Sequence, residues 1–269
     1  MKKQKKITLI GTLILCLPLC GAWTTAQAET PEEVYYPNQS LVSTRAVEYI
    51  EYNTKTIVED LETDMAAPHF YCIGGLENAC GAVAGATAVS FYDKYYSNMI
   101  TGWDSYYANG RYRIQDTTYI PALQRDLYSR MKINVTYEGV TESNFKTGLS
   151  NYIKDQGYSV SYDSVWSGGT FNYSAFKTAV NNNKITVLFV KPSNLYVLAD
   201  NADVDVLGDN YIPANHIMVA FGYYEVKYTT SSGTRTDKYL KVSSGFDGIG
   251  LMLYKVGSYI DAAYTLQIS

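Results

Sequence analysis

The fold is decided by the stretch Asn78-Ala-Cys-Gly-Ala-Val-Ala-Gly-Ala-Thr-Ala-Val-Ser-Phe-Tyr-Asp-Lys-Tyr-Tyr96. Apolar residues recur in it at helical spacing, and small residues fill the other sides. A helix that is apolar or small all round is usually buried, so this stretch predicts a central helix. With Asn78 as the N-cap, Cys80 lies in the first turn, beside unpaired backbone N–H groups and the positive end of the helix dipole. Such a position lowers the pKa of a thiol and makes it a nucleophile.

The first 28 residues have the three-part form of a secretory signal peptide. Four lysines precede an apolar run from Ile7 to Leu19, and Ala26-Gln27-Ala28 provides small residues for cleavage. The apolar run is too short to span a membrane as a helix. We therefore expect a secreted, bacterial-type protein without stable membrane insertion once the signal is removed.

The net charge of the mature chain argues against partners that are themselves negatively charged. Removing the four lysines of residues 1–28 from the 22 basic residues leaves 18 against 26 acidic residues, a net charge of −8. A net negative charge disfavours electrostatic binding to nucleic acid or to an anionic membrane surface.

Three segments are predicted along the chain of 269 residues. Residues 1–28 are the signal peptide, residues 29–68 an N-terminal helical segment, and residues 69–269 one domain with a sizeable core. The helix of the second segment starts at Ser43 or Thr44 and carries an apolar stripe that includes Ile57 and Leu61. This segment is either a short propeptide or a brace packed on the main domain, and the absence of an obvious processing site favours the brace.

The main domain is predicted to be α+β, with helices first and antiparallel strands last. Beyond the central helix, helices are expected over residues 119–131, 141–152 and 172–180. Strands are expected over residues 158–165, 184–190, 216–228, 239–242 and 251–256. Asp200, Asp203, Asp205 and Asp209 predict a solvated or disordered loop, with a calcium site as the alternative.

Thiol and imidazole groups are scarce, which limits the candidates for chemistry. After signal removal the cysteines are Cys72 and Cys80 and the histidines are His69 and His216. A thiol on a helix start and a histidine at the start of a core strand form a workable nucleophile and base. Three other interpretations stay open: a Cys72–Cys80 disulfide, a zinc site built from all four residues, and plain burial of each side chain.

The order and context of these residues resemble the papain-like cysteine peptidases, in the branch of the bacteriocin-processing peptidases. In that family a Cys-Gly opens the central helix, and a segment like Asn215-His216-Ile-Met-Val-Ala-Phe-Gly-Tyr223 carries the histidine on a strand. The likeness covers roughly residues 70–248. It implies a papain-like fold with Cys80 as nucleophile and His216 as general base and acid. It also implies a monomer that cleaves a peptide or protein substrate and needs no metal or organic cofactor.

Two positions depart from the family pattern. The glutamine that helps to form the oxyanion hole is replaced by Gly74, so Asn78 and the Cys80 N–H are the oxyanion candidates. The third catalytic residue is taken from hairpin geometry: with a turn at residues 231–233, His216 faces residues 247–249, which favours Asp247. Ser243 and Ser244 are the alternatives, since one bulge shifts the register.

Two further function classes stay open on the same fold. The missing glutamine and the 27 tyrosines are compatible with a catalytically silent binding or adhesion domain. A cell-wall amidase or acyl transferase would use the same Cys80–His216 dyad.

Overall fold

The computed structural model describes residues 34–35, 42–43, 48–64, 66–103, 107–108, 111–112, 118–136, 138–200, 203–246, 252–257 and 259–269. They belong to one compact unit that spans Glu32–Ser269. The predicted signal peptide and Asp247 lie outside the described residues.

Four helices and a large antiparallel sheet confirm the α+β prediction for the described residues. The helices are α1 (Cys80–Asp93), α2 (Tyr119–Arg130), α3 (Glu142–Asp155) and α4 (Tyr173–Asn181). The predicted helices over 119–131, 141–152 and 172–180 are thus confirmed. Two begin at side-chain caps: Thr141 Oγ1 accepts a hydrogen bond from the Asn144 N–H (3.2 Å), and Asn172 Oδ1 accepts one from the Ala175 N–H (3.0 Å).

The strands are β1 (Val34–Tyr35), β2 (Val42–Ser43), β3 (Glu48–Glu51), β4 (Thr54–Glu62), β5 (Tyr107–Ala108), β6 (Arg111–Tyr112), β7 (Val140–Thr141), β8 (Val160–Ser164), β9 (Trp166–Ser167), β10 (Thr170–Phe171), β11 (Thr186–Val190), β12 (Ser193–Asp200), β13 (Val204–Ile212), β14 (His216–Thr230), β15 (Gly233–Ser243), β16 (Met252–Lys255) and β17 (Ile260–Ile268). The main sheet has the order β2-β13-β12-β16-β15-β14-β11-β17-β8, with β3 paired to β13 and β4 to β14. The five predicted strands correspond to β8, β11, β14, β15 and β16.

Helix α1 is the core of the α-helical side of the molecule. All of its residues are buried, and it packs against α2, α3 and β14. A Cβ added at Gly85 would lie 2.9 Å from Met131 Cε and 3.2 Å from Leu127 Cδ1, so α2 approaches α1 closely at this point. The predicted buried central helix is therefore confirmed, and it rests on the strand that starts with His216. No helix in the described ranges combines the length and the apolarity that a membrane crossing requires.

The helix predicted within residues 29–68 is wrong, because this segment forms strands. β4 pairs with β14 from Gly222 to Thr229, and β3 pairs with β13. Ile57 and Leu61 of the expected apolar stripe are 53% and 42% exposed. The local run of β-branched residues suits a strand, and the free side of β14 supplies its hydrogen-bond partner. The segment is part of the main sheet, as a brace would be.

The acidic loop predicted over residues 200–209 is also wrong. Asp200 and Asp205 are opposite each other in the backbone register of the β12–β13 hairpin. Asp205 is completely buried and forms an ion pair with Lys55 of β4 (2.9 Å), and it accepts a hydrogen bond from the Tyr228 hydroxyl. A buried carboxylate is tolerated when it is paired and hydrogen-bonded, and this one ties β13 to β4 and β14.

Gly148 is expected to be essential for the packing of α3 on the end of α2. A Cβ at this position would lie 2.7 Å from the Met131 backbone nitrogen and 2.8 Å from the Met131 Cα. Because backbone atoms cannot move aside cheaply, Gly148→Ala is expected to lower the free energy of unfolding by about 2–3 kcal/mol in urea titrations. The control is Gly74→Ala, where no atom lies within 4 Å of the added Cβ. Equal urea midpoints for the two variants would contradict the packing described.

Candidate active site

Cys80 is the first residue of α1, but the helix is not capped as predicted. The N-cap is Ala79, with no side-chain cap hydrogen bond, so the prediction of Asn78 as N-cap is wrong. Asn78 has a φ of +54°, in the left-handed region that asparagine tolerates. Its side-chain Nδ2 donates to Asn134 Oδ1 (3.1 Å). One of the two N–H groups of the Asn78 amide is therefore engaged. The predicted role of Asn78 as an oxyanion donor would have to use the other N–H.

The Cys80 sulfur lies between the first turn of α1 and the start of β14. The side chain is only 4% exposed, and burial raises the pKa of its thiol to about 12. The backbone N–H groups of Ile217, Gly81 and Cys80 itself act in the opposite direction and lower that pKa. The expected lowering by the helix terminus is present, but burial is the larger effect. The predicted low pKa is therefore wrong for this conformation.

His216 is the first residue of β14 and is paired with Val190 of β11. Its ring is 2% exposed, and Nε2 lies 2.6 Å from the Ser244 carbonyl oxygen. A carbonyl oxygen can only accept, so Nε2 carries the proton and Nδ1 carries the lone pair in the neutral ring. Nδ1 has no hydrogen-bond partner in the described part of the chain. Burial lowers the pKa of His216 to about 4, although the Ser244 carbonyl raises it in part.

Phe246 covers one face of the His216 ring. The two ring centroids are 4.7 Å apart with an interplanar angle of 24°. The phenyl ring excludes water from the imidazole and adds to the desolvation that disfavours the charged form.

Among the described residues, the group that orients His216 is a backbone carbonyl. The hairpin turn is centred on Ser231-Ser232, with Thr230 opposite Gly233, but a bulge between Ala220 and Gly222 shifts the register by one residue. The ladder ends at Val219 opposite Ser243, and the next residue, Ser244, supplies its carbonyl to His216. The Ser243 hydroxyl donates instead to the Pro68 carbonyl (2.7 Å). The candidate third residue Asp247 lies outside the described residues.

The two pKa shifts make a neutral pair the stable form of Cys80 and His216. With pKa values of about 12 and about 4, neither group is charged at neutral pH. The sulfur faces the N–H of Ile217, the residue that follows His216 in the chain. The thiol and the imidazole are thus brought to the same end of β14, without a hydrogen bond to Nδ1. The expected thiolate–imidazolium pair is not present in this conformation.

Cys72 forms no disulfide with Cys80, since both are free thiols. Its Sγ donates to the Leu76 carbonyl (3.2 Å), and burial raises its pKa. Within the described ranges no three histidine, cysteine or acidic side chains come together as metal ligands. The disulfide and zinc interpretations are therefore not supported.

Two contributors to the site carry no sequence signal. Gln124 of α2 is fully buried, accepts a hydrogen bond from the Ile73 N–H (3.2 Å) and donates to the Tyr71 carbonyl (3.0 Å). Asn134 accepts from Asn78 and donates to the Glu77 carbonyl (3.1 Å). These amides hold the loop that leads into Cys80. No local sequence pattern identifies them, because each lies more than 50 residues from the loop residue that it binds.

Comparison of the chain with protein-family models, with curated proteins and with solved structures finds no match.

Proposed function

We propose that this protein is a secreted cysteine peptidase in which Cys80 is the nucleophile and His216 the general base and acid. One observation carries the proposal. The Ser244 carbonyl holds the proton on Nε2 of His216, which leaves the Nδ1 lone pair open at the strand end that the Cys80 sulfur faces. A base that is oriented by a third group, next to a thiol on a helix start, is the arrangement that acyl transfer requires.

The reaction starts from the neutral pair. As the sulfur attacks the substrate carbonyl carbon, the thiol proton passes to Nδ1 of His216 and the carbonyl π electrons move to oxygen. Collapse of the tetrahedral intermediate breaks the C–N bond, and Nδ1 returns the proton to the leaving amine. Water then loses a proton to Nδ1 and attacks the thioester carbonyl carbon. Collapse of this second intermediate breaks the C–S bond and releases the acid, and Nδ1 returns the proton to the sulfur.

One backbone N–H and one side-chain amide stabilise the oxyanion in this mechanism. The first turn of an α-helix leaves its N–H groups without intrahelical partners, and that of Cys80 is adjacent to the attacking sulfur. The second N–H of the Asn78 amide, whose first N–H is held by Asn134, is the other donor. Donors of this kind are worth about 10²–10³-fold in rate.

The papain-like fold and the secretion of the mature chain are parts of the same proposal. A buried helix that begins at a cysteine, followed by an antiparallel sheet whose strand begins at a histidine, supports the fold. The three-part pattern of residues 1–28 and the net charge of −8 after its removal support secretion.

Degradation of a denatured protein tests the proposal. We expect the protein spanning residues 29–269 to release new amino termini from reduced, denatured casein at pH 7, measured by fluorescamine. Prior alkylation of the unfolded and refolded protein at Cys80 should stop the release. Release that continues after complete alkylation would contradict a cysteine mechanism.

A catalytically silent binding domain is the second candidate, and a specific observation favours it. Cys80 and His216 are 4% and 2% exposed, so a substrate reaches them only when the site opens. A silent domain would show no casein cleavage. In such a domain Cys80→Ala would leave ligand binding unchanged and would affect stability only through the loss of one buried sulfur atom.

A further inference from the structure

A buried lysine–aspartate pair lies where strands β4, β13 and β14 meet. Lys55 Nζ of β4 is 2.9 Å from Asp205 Oδ1 of β13, and the Lys55 and Asp205 side chains are 14% and 0% exposed. Tyr228 stands opposite Lys55 in the register of β4 and β14. Its hydroxyl donates to the other carboxylate oxygen, Asp205 Oδ2. The proposed peptidase chemistry uses none of these three residues.

Apolar and aromatic side chains surround the pair. Tyr228 is completely buried in a hydrophobic cluster that also contains Ile50 and Val226. The Tyr52 ring packs against this cluster, and its centroid lies 5.7 Å from that of the Tyr228 ring. Lys55 Nζ lies 6.0 Å from the Tyr52 ring centroid. Water therefore has little access to the amine and the carboxylate.

These surroundings favour the reactive forms of both groups. Burial disfavours the charged form of a lysine and of a carboxylate alike. Transfer of one proton from the Lys55 ammonium to Asp205 Oδ1 leaves a neutral amine in contact with a neutral carboxylic acid. Burial also raises the pKa of Tyr228, and the hydrogen bond to Asp205 adds to this effect. The Tyr228 hydroxyl therefore keeps its proton and remains a donor to Oδ2.

We propose that Lys55 and Asp205 condense in the folded protein to form an amide bond between their side chains. Lys55 Nζ attacks Asp205 Cγ, and the π electrons of the C=O bond move to Oδ2, where the Tyr228 hydroxyl stabilises the negative charge. The tetrahedral intermediate then expels the Oδ1 hydroxyl, which takes a proton from Nζ and leaves as water. One C–N bond forms and one C–O bond breaks, without any co-reactant.

The fold favours this condensation in two ways. Strand pairing holds the amine against the carboxyl group, so the reaction needs no encounter between separate molecules. Burial keeps out the water that would hydrolyse the product. The bond would join residues that are 150 positions apart in the sequence. Because both cysteines of the described chain are free thiols, the amide would provide the covalent cross-link that a disulfide does not.

The test is the intact mass of the purified, denatured protein. We expect the parent to be lighter by one water molecule than the mass calculated from its sequence and its measured amino terminus. Tandem mass spectrometry of a digest should show a branched peptide that joins Lys55 to Asp205. Lys55→Arg keeps a positive charge beside Asp205, but its guanidinium is a poor nucleophile. This variant should therefore have its full calculated mass, with a circular dichroism spectrum like that of the parent.

Lys177→Arg is the matched control. Lys177 forms an ion pair with Glu59 of the same strand β4 (2.6 Å), but these side chains are 28% and 41% exposed, so water stabilises both charges. The control should keep the loss of one water molecule. Tyr228→Phe should slow the condensation by about 100-fold, which would appear as a fraction of chains with the full mass that decreases during incubation.

Three results would overturn the proposal: a parent with its full calculated mass, a loss of water that persists in Lys55→Arg, or a branched peptide that joins another pair of residues. A succinimide formed at an aspartate also loses water, but it gives no branched peptide. The first result would identify the pair as a permanent buried ion pair. Casein cleavage is measured separately, so neither outcome depends on the proposed peptidase activity.

Discussion

Replacing Cys80 with alanine is expected to abolish peptide cleavage, with kcat/KM lowered by about 10⁴-fold or more. Cys80 opens α1, and its sulfur faces the N–H of Ile217, the residue that follows the proposed base His216. Folding should persist, since alanine fills most of the small site at the start of α1. Initial rates on a peptide from casein, with the near-ultraviolet circular dichroism of each variant, measure the two effects separately.

Cys72→Ala is the matched control for this substitution. It removes the other free cysteine of the described chain, which donates to the Leu76 carbonyl and raises the pKa of the Cys80 thiol by a smaller effect than burial does. We expect its activity to remain within about threefold of the parent, because a substitution outside the reacting groups changes the activation free energy little. Equal losses of activity in the Cys72 and Cys80 variants would indicate that both substitutions act through folding, and would contradict the assignment of Cys80 as the nucleophile.

Replacing His216 with glutamine is expected to lower kcat/KM by about 10²–10⁴-fold, the usual worth of a general base and acid. The pH profile of the parent adds a sharper expectation. Because burial lowers the pKa of His216 to about 4, Nδ1 is charged and cannot accept the thiol proton below that pH. The value of kcat/KM should therefore rise as the pH increases through about 4. It should then stay level to at least pH 9, since the pKa of Cys80 is about 12.

His69→Gln is the control, as it replaces the only other histidine of the chain. Its profile should keep the same acid limb and plateau. A parent profile that falls between pH 7 and pH 9 would show that an imidazolium is needed for activity. That result would rule out the neutral-pair mechanism in favour of an ion pair formed before substrate attack.

The helices were predictable where their signals are local. Thr141 and Asn172 cap α3 and α4 with their own side chains, three residues from the N–H groups that they bind. The N-terminal strands could not be predicted in this way. β4 is a strand because it pairs with β14, more than 150 residues later in the chain, and its apolar spacing fits a helix equally well. The Asp205 strand was missed because its charge is neutralised by the distant Lys55.

The same difference between local and long-range signals applies to the candidate site. Cys80 and His216 stand out in the sequence because so few thiols and imidazoles exist. Ser244 was predicted only as an alternative to Asp247, because its contribution is a backbone carbonyl that a bulge at residues 220–222 brings into place. The prediction that Asn78 caps α1 was wrong because its side chain binds Asn134, which lies 56 residues away in the sequence. Long-range contacts also set the burial that reverses the expected pKa shift of Cys80.

The most direct test of the central claim is the mass of the protein during turnover. A chemically quenched reaction with a peptide p-nitrophenyl ester, analysed by intact and peptide-level mass spectrometry, should show one acyl group on Cys80. His216→Gln should carry the group at a much lower level, and Cys72→Ala at the level of the parent. Acylation of another residue, or turnover with no acyl group on Cys80 at any quench time, would contradict the account.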